Sequence, residues 1–318
     1  MALLEVQRLI VTLPSAAGPV RPVDEVSFTL NRGDVTCIVG ESGCGKSTTA
    51  LALIRLLDDN ARIEGSVRFD GQNLLTLSEA QMCAIRGNRM SIVFQEPMTA
   101  LNPVKTVGAQ VMGPLLLHTS MTAAEARAEA QRLLARVGID QAAKRLDAYP
   151  HQLSGGQRQR VVIARALACK PDLIIADEPT TALDTTVQRQ ILDLLLSLVD
   201  ETSIALLLIT HNLAVVSEIA DKVLVMYGGR VAESGTAAEV LGHPRHPYTQ
   251  GLIEALPRPD APVGIRLTPI VGTVPNLSRM PRGCAFADRC ELAIDACREG
   301  RPAERAIESS HAVACIRA

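Results

Sequence analysis

The eight residues Gly40-Glu41-Ser42-Gly43-Cys44-Gly45-Lys46-Ser47 constrain this chain more than any other stretch. They follow the apolar run Val35–Val39 and precede a helix-period run, Thr48–Leu57, so the order strand, tight turn, helix is expected. Glycines in such a turn let successive backbone N–H groups point inward at an anion, and the following helix adds the positive end of its dipole. This is the pattern of a phosphate-binding loop. Gly40, Ser42, Gly43, Cys44, Gly45, Lys46, Ser47 and Thr48 would form the cradle, with Lys46 neutralising the β- and γ-phosphates and the Ser47 hydroxyl taking one Mg²⁺ position. Cys44 would serve through its backbone N–H rather than its thiol.

A second run, Leu173-Ile174-Ile175-Ala176-Asp177-Glu178, reads as a buried strand ending in two carboxylates, where an open α/β sheet presents its chemistry. Asp177 suits a Mg²⁺ ion, and Glu178 suits the general base that takes a proton from an attacking water. The run Ile204–Ile209 ends likewise, at Thr210-His211. Leu153-Ser154-Gly155-Gly156-Gln157 precedes a further helix, Arg158–Ala168, and makes a second anion site more than a hundred residues from the first. The economical explanation is that Ser154, Gly155, Gly156 and Gln157 cap a nucleotide held by a partner subunit.

The surroundings support an α/β protein. Residues 1–235 alternate aliphatic runs, among them Lys222–Met226, with helix-period segments such as Thr185–Asp200 and the series Ala126, Ala130, Leu133 and Val137 closed by Gly138. From about residue 96 to 165 the strand-like pattern fades, which suggests a helical subdomain. Beyond Gly235 come His243-Pro244, His246-Pro247 and a proline-rich stretch from Pro257 to Pro281, read as a linker and a His-Pro-Tyr segment over 236–282. Only 2% of the 318 residues are aromatic and none is Trp, so the core must be aliphatic. A net charge of −2 offers no broad positive field for a phosphate backbone, so nucleic acid is not expected as a partner. No apolar stretch reaches the roughly 18 residues of a membrane-spanning helix, and Met1–Leu13, broken by Glu5 and Arg8, reads as a strand rather than a signal peptide.

Four of the eight cysteines, Cys284, Cys290, Cys297 and Cys315, crowd into the tail 283–318, separated by five, six and seventeen residues. Clustering without an export signal points to metal rather than disulfides. The spacing lacks the tight pairs usual for zinc, the alternative metal, while four thiolates suit an iron–sulfur cluster; unligated cysteines in a small core are the third reading.

The pentapeptide at 153–157 and its flanks resemble the signature of ABC transporter ATPase subunits, and the resemblance runs over essentially the whole chain. It implies an α/β fold with an ABC-type P-loop ATPase domain, a helical subdomain and here a small cysteine-rich C-terminal extension. Gln95, in Val93-Phe94-Gln95-Glu96-Pro97, looks like the family's Q-loop, a further Mg²⁺ contact that links the site to the membrane subunit. Ala182-Leu183-Asp184 looks like the D-loop, and His211 like the switch histidine that contacts the γ-phosphate. Phe94 through Pro103, His246-Pro247-Tyr248-Thr249 and the cysteine tail narrow the resemblance to the oligopeptide and dipeptide importer class. Members work with a homologous second ATPase, two membrane permeases and an extracytoplasmic binding protein, at the cytoplasmic face of the bacterial inner membrane, and relatives with such a tail carry a 4Fe–4S cluster. Importers of nickel, glutathione or antimicrobial peptides use similar ATPases. Soluble relatives in DNA repair carry long insertions that this chain lacks, and an inactive partner subunit would lack Lys46, Glu178 or His211, all present. Leu13 stands where the family usually stacks an aromatic ring on adenine, so the resemblance implies weak discrimination between ATP and GTP.

Overall fold

The computed structural model describes residues 2–181, 183–256, 269–308 and 310–318. They form two compact units, one made of Met1–Leu30, Val35–Leu75 and Ile209–Ala318, the other of Asn31–Asp34 and Thr76–Leu208.

In the first unit an antiparallel sheet runs in the order Val20–Leu30, Leu4–Leu13, Arg62–Phe69, Gln72–Asn73. Leu4 pairs with Leu30 on one side and Phe69 on the other. Register shifts interrupt both ladders, and Arg8 and Glu25 adopt positive φ while forming an ion pair at 2.8 Å. The bulge at Glu25 breaks the alternation of Val20–Leu30, and Gly65 among charged residues dilutes that of Arg62–Phe69, so only Leu4–Leu13 is legible in sequence. A second sheet segment carries Val35–Val39 parallel to Lys222–Tyr227, with Cys37 opposite Val223. Every residue of Val35–Val39 is buried, the pattern of a parallel strand covered on both faces.

The region read as a linker is folded. Lys222–Tyr227 turns back into Arg230–Thr236, followed by helices Ala237–Gly242 and Pro247–Glu254, and the latter buries Tyr248 and Thr249 completely. The proline-rich stretch falls partly on residues 257–268, outside the described residues. The tail adds the short strands Arg305–Ala306 and Ala312–Val313 to the sheet, with Glu233 opposite Val313.

In the second unit Met90–Val93 lies parallel to Leu173–Asp177, and residues 205–208 of the strand Ala205–Thr210 follow on its other side. Between residues 97 and 167 the elements are all helical, and Val107–His118, Ala123–Arg136 and Gly155–Leu167 pack on one another. Thr122 and Glu125 start the middle helix reciprocally: Thr122 Oγ1 accepts from the Glu125 N–H at 3.3 Å and the Glu125 carboxylate from the Thr122 N–H at 2.7 Å. That helix buries Ala126, Ala130, Leu133 and Leu134, and the left-handed Gly138 ends the segment.

One buried carboxylate fastens the tail of the first unit. Glu233 is 0% exposed; its Oε1 accepts from the Arg245 N–H at 2.7 Å and meets His311 Nε2 at 2.7 Å, while Oε2 accepts from the His246 N–H at 3.0 Å. Removing it strands two backbone donors and a buried imidazole. Glu233→Ala is expected to cost about 3 kcal/mol in denaturant unfolding and to open the tail to proteolysis, because buried polar groups left unpaired carry their full desolvation penalty. A loss below about 1 kcal/mol, the level of an exposed ion pair, would contradict this role.

Candidate nucleotide site

The phosphate loop belongs to the first unit and is held by close backbone approach. Gly40, Gly43 and Gly45 all have positive φ. A Cβ on Gly40 would lie 2.2 Å from the Met226 carbonyl oxygen, and one on Gly45 would lie 2.0 Å from that of Pro22. No larger residue fits either place. Gly45, at φ 103°, begins the helix Lys46–Leu53, which starts two residues earlier and ends four earlier than the sequence pattern suggests. Lys46 is only 5% exposed, and its ammonium donates to Gly40 O at 2.7 Å and Glu41 O at 3.1 Å. Cys44 is fully buried, and burial pushes its thiol up, so the side chain is an uncharged filler. Ser42 and Gly43 are exposed, and Ser47 and Thr48 are half-buried. His211 directly follows the strand ending at Thr210 and is exposed, while Asn212 caps the helix Leu213–Ile219. Leu13 is half-buried at the end of its strand, opposite Val20.

The second unit brings the carboxylate pair and the glutamine together. Asp177 is the last residue of its strand and is buried; Glu178 follows with φ 45°. A non-glycine residue in this left-handed region costs about 1–2 kcal/mol. Val93 pairs with Ala176 in parallel register, so Gln95 and Glu178, each two residues further on, leave the same sheet edge together. Gln95 Nε2 donates to Glu178 Oε2 at 3.2 Å, and Thr181 Oγ1 donates to the same oxygen at 3.0 Å. The bend at Glu178 thus holds its carboxylate beside Gln95. Asp177 and Gln95 offer oxygen donors of the hard type that Mg²⁺ selects, and Mg²⁺ on a nucleotide needs only one or two protein carboxylates because phosphates and water fill the rest.

The pentapeptide also lies in the second unit, and its helix begins at Gly155, three residues before the sequence expectation. Ser154 is the cap: its Oγ accepts from the Gln157 N–H at 3.3 Å, and Gln157 Oε1 accepts from the Ser154 N–H at 3.1 Å. The serine-x-x-glutamine spacing carried that signal. A Cβ on Gly156 would meet Val187 Cγ1 at 2.7 Å, and Val187 is fixed because its N–H donates to Asp184 Oδ1 at 3.0 Å. Asp184 therefore caps the helix Thr185–Thr202 and sets the neighbour that requires glycine at 156. Ala182 lies outside the described residues.

The four tail cysteines line one small cavity of about 20 Å³ together with Phe286 and Ile316. Burial pushes the Cys284 and Cys290 thiols up. Among the described residues no group of three or more His, Cys, Asp or Glu side chains is arranged to hold a metal ion. The four thiols share one cavity, but a cavity of one-water size does not fit such a cluster without rearrangement, and the expected iron–sulfur centre finds no support here.

Sequence reasoning assigned no role to Arg289 or to the individual side chains of the His-Pro-Tyr run. His246 Nδ1 accepts from the Tyr248 N–H at 3.0 Å, and burial holds the ring neutral by lowering its pKa to about 4. Tyr248 and Arg289 both touch Glu41 of the phosphate loop. The motif itself was visible, but only long-range packing shows what it contacts.

Residues 23–181 match the family model described as ABC transporter, and residues 232–297 match that of the oligopeptide/dipeptide transporter C-terminal region. The oligopeptide transport ATP-binding protein OppD of Salmonella typhimurium is 50% identical over 302 residues, 95% of this chain and 90% of the relative. The dipeptide transport ATP-binding protein DppD of Bacillus subtilis is 47% identical over 314 residues, covering 98% and 93%. Among solved structures, a dimeric ATP-binding cassette in a post-hydrolysis state with ADP and Pi bound shares 29% identity at a TM-score of 0.66, over 74% of this chain and 98% of that one. With the phosphate loop, the paired carboxylates and the capped pentapeptide in place, these matches establish that the chain belongs to the ABC transporter ATP-binding family.

Proposed function

We propose that this chain is the ATP-hydrolysing subunit that powers import of dipeptides or oligopeptides through a membrane ABC transporter. The observation that carries the cargo is the match of residues 232–297 to the oligopeptide/dipeptide transporter C-terminal region, alongside relatives named for those substrates. The phosphate loop wraps the ATP phosphates with its backbone N–H groups and Lys46. Ser47, Asp177 and Gln95 are the residues that would offer oxygen ligands to Mg²⁺, which would offset the charge on the phosphates. Glu178, oriented by Gln95 and Thr181, accepts the proton of the attacking water, and His211 contacts the γ-phosphate.

Ser154, Gly155, Gly156 and Gln157 meet the ATP of a homologous second ATPase, with Asp184 fixing the adjacent helix. ATP binding closes this pair and hydrolysis reopens it, a two-state element that two permeases read while a binding protein delivers peptide on the far side. In the second unit Met98, 62% exposed, lines an open groove of about 710 Å³ with Asn102, Lys105 and Gln110, and Val104 in the same segment is 79% exposed. Apolar side chains displayed a few residues past Gln95 suit a permease's cytoplasmic segment. No helix among the described residues is long and apolar enough to cross a membrane, and the reading places this subunit peripherally on the cytoplasmic face of the inner membrane.

The tail cysteines are read as ligands of a 4Fe–4S cluster on their number alone, and the size of their shared cavity opposes this; no step of hydrolysis depends on the cluster. Anaerobically purified protein is expected to hold about four iron and four acid-labile sulfide per chain. Absence of both would make the cysteines simple core packing.

Glu178→Gln preserves the shape and the Gln95 contact but cannot take a proton. The variant, assembled with its partner ATPase, is expected to remain in a closed ATP-bound state, seen as an ATP-dependent shift in light scattering, with turnover down by about 10²-fold or more. Full turnover would remove Glu178 from the role of base.

A further inference from the structure

Glu41, the second residue of the phosphate loop, is gripped from the C-terminal region at both its backbone and its side chain. Its N–H donates to Tyr248 Oη at 2.9 Å. Its carboxylate receives a two-pronged contact from Arg289, Nη1 to Oε2 at 2.6 Å and Nη2 to Oε1 at 3.0 Å. The peptide oxygen of the same residue accepts from Lys46 Nζ at 3.1 Å. A displacement of Glu41 therefore displaces the ammonium that meets the phosphates.

Both gripping residues are themselves immobilised. Tyr248 is 0% exposed, with its ring 4.6 Å from Tyr227 and 5.4 Å from Phe286. The Arg289 side chain is 4% exposed, its Nε donates to Val271 O at 2.9 Å, its Nη1 to Tyr227 Oη at 3.2 Å, and its guanidinium lies over the Tyr227 and Phe286 rings. In a chain with seven Phe and Tyr residues, three are spent on this one cluster. The hydrogen-bonded Glu41 carboxylate beside it holds Arg289 firmly charged, and burial keeps the Tyr248 hydroxyl protonated. A paired arginine this deeply buried is rarely incidental, because the guanidinium alone would be costly to leave there.

We propose that Tyr248 and Arg289 are positioning residues of the nucleotide site: acting through Glu41, they hold the phosphate loop and the Lys46 ammonium in the geometry that binds ATP. The proposal rests on reading residues 40–48 as the phosphate cradle. It makes the C-terminal region part of the ATP-binding machinery rather than an appendage to it.

The test is equilibrium binding of Mg-ATP to the full chain by calorimetry, with the nucleotide-free melting temperature measured in parallel. Tyr248→Phe removes only the acceptor for the Glu41 N–H, and Arg289→Lys keeps the charge while losing the fork. Each is expected to raise the Kd for ATP by about 5–30-fold at a temperature where the variant is folded. Combining Arg289→Lys with Glu41→Gln should add no more than about twofold over the worse single variant, since both break one contact. Lys46→Ala serves as the control and should abolish binding. Native affinity in Tyr248→Phe and Arg289→Lys, even with a lowered melting temperature, would overturn the proposal, as would full additivity in the double variant. ATP binding retained by Lys46→Ala would instead overturn the cradle reading on which it rests.

Discussion

The constraint on which the rest depends is how closely other backbone approaches the phosphate loop. The carbonyls of Met226 and Pro22 lie where any side chain at Gly40 or Gly45 would have to go. Contact this tight fixes the loop against two neighbouring strands, so its N–H groups keep their direction without a ligand to organise them. The surrounding strands can serve as a rigid wall because Val35–Val39 and most of Lys222–Tyr227 are buried continuously, each large aliphatic side chain contributing about 1.5–3 kcal/mol. Glycine freedom, usually a cost in entropy, is here what lets the backbone act as the ligand.

The second unit uses a different device for a similar end. Parallel register carries Gln95 and Glu178 off the sheet edge together, and the left-handed bend at Glu178 aims its carboxylate at Gln95 and Thr181. Strain of this kind gathers at working sites, which fits the role proposed for Glu178. At the pentapeptide, capping and close packing explain three residue types: Ser154 and Gln157 satisfy each other's backbone, and Gly156 makes room for Val187.

What could be read from sequence follows from how local each signal is. The phosphate loop, the strand ending at Asp177-Glu178 and the capped helix at 154–157 announce themselves through short-range chemistry, and their expected boundaries hold to within a few residues. The antiparallel strands Val20–Leu30 and Arg62–Phe69 are hard to read because Glu25 at positive φ interrupts the alternation of one, and Gly65 among charged residues dilutes that of the other. The helices after Gly235 were mistaken for a linker because prolines dominate the local pattern, whereas Glu233, 0% exposed and bonded across 12, 13 and 78 residues, supplies the order from a distance. Cysteine count could suggest a metal centre, but only three-dimensional placement shows four thiols around a cavity of about 20 Å³.

The central claim, that ATP hydrolysis by this chain drives peptide import, is tested most directly by uptake of a labelled dipeptide. Cells lacking any redundant peptide importer would have their own copy replaced by either the native chain or Glu178→Gln. Uptake with the native chain and none with the variant is the result this account predicts. Equal uptake by both would contradict it and separate the chain's ATPase chemistry from peptide transport.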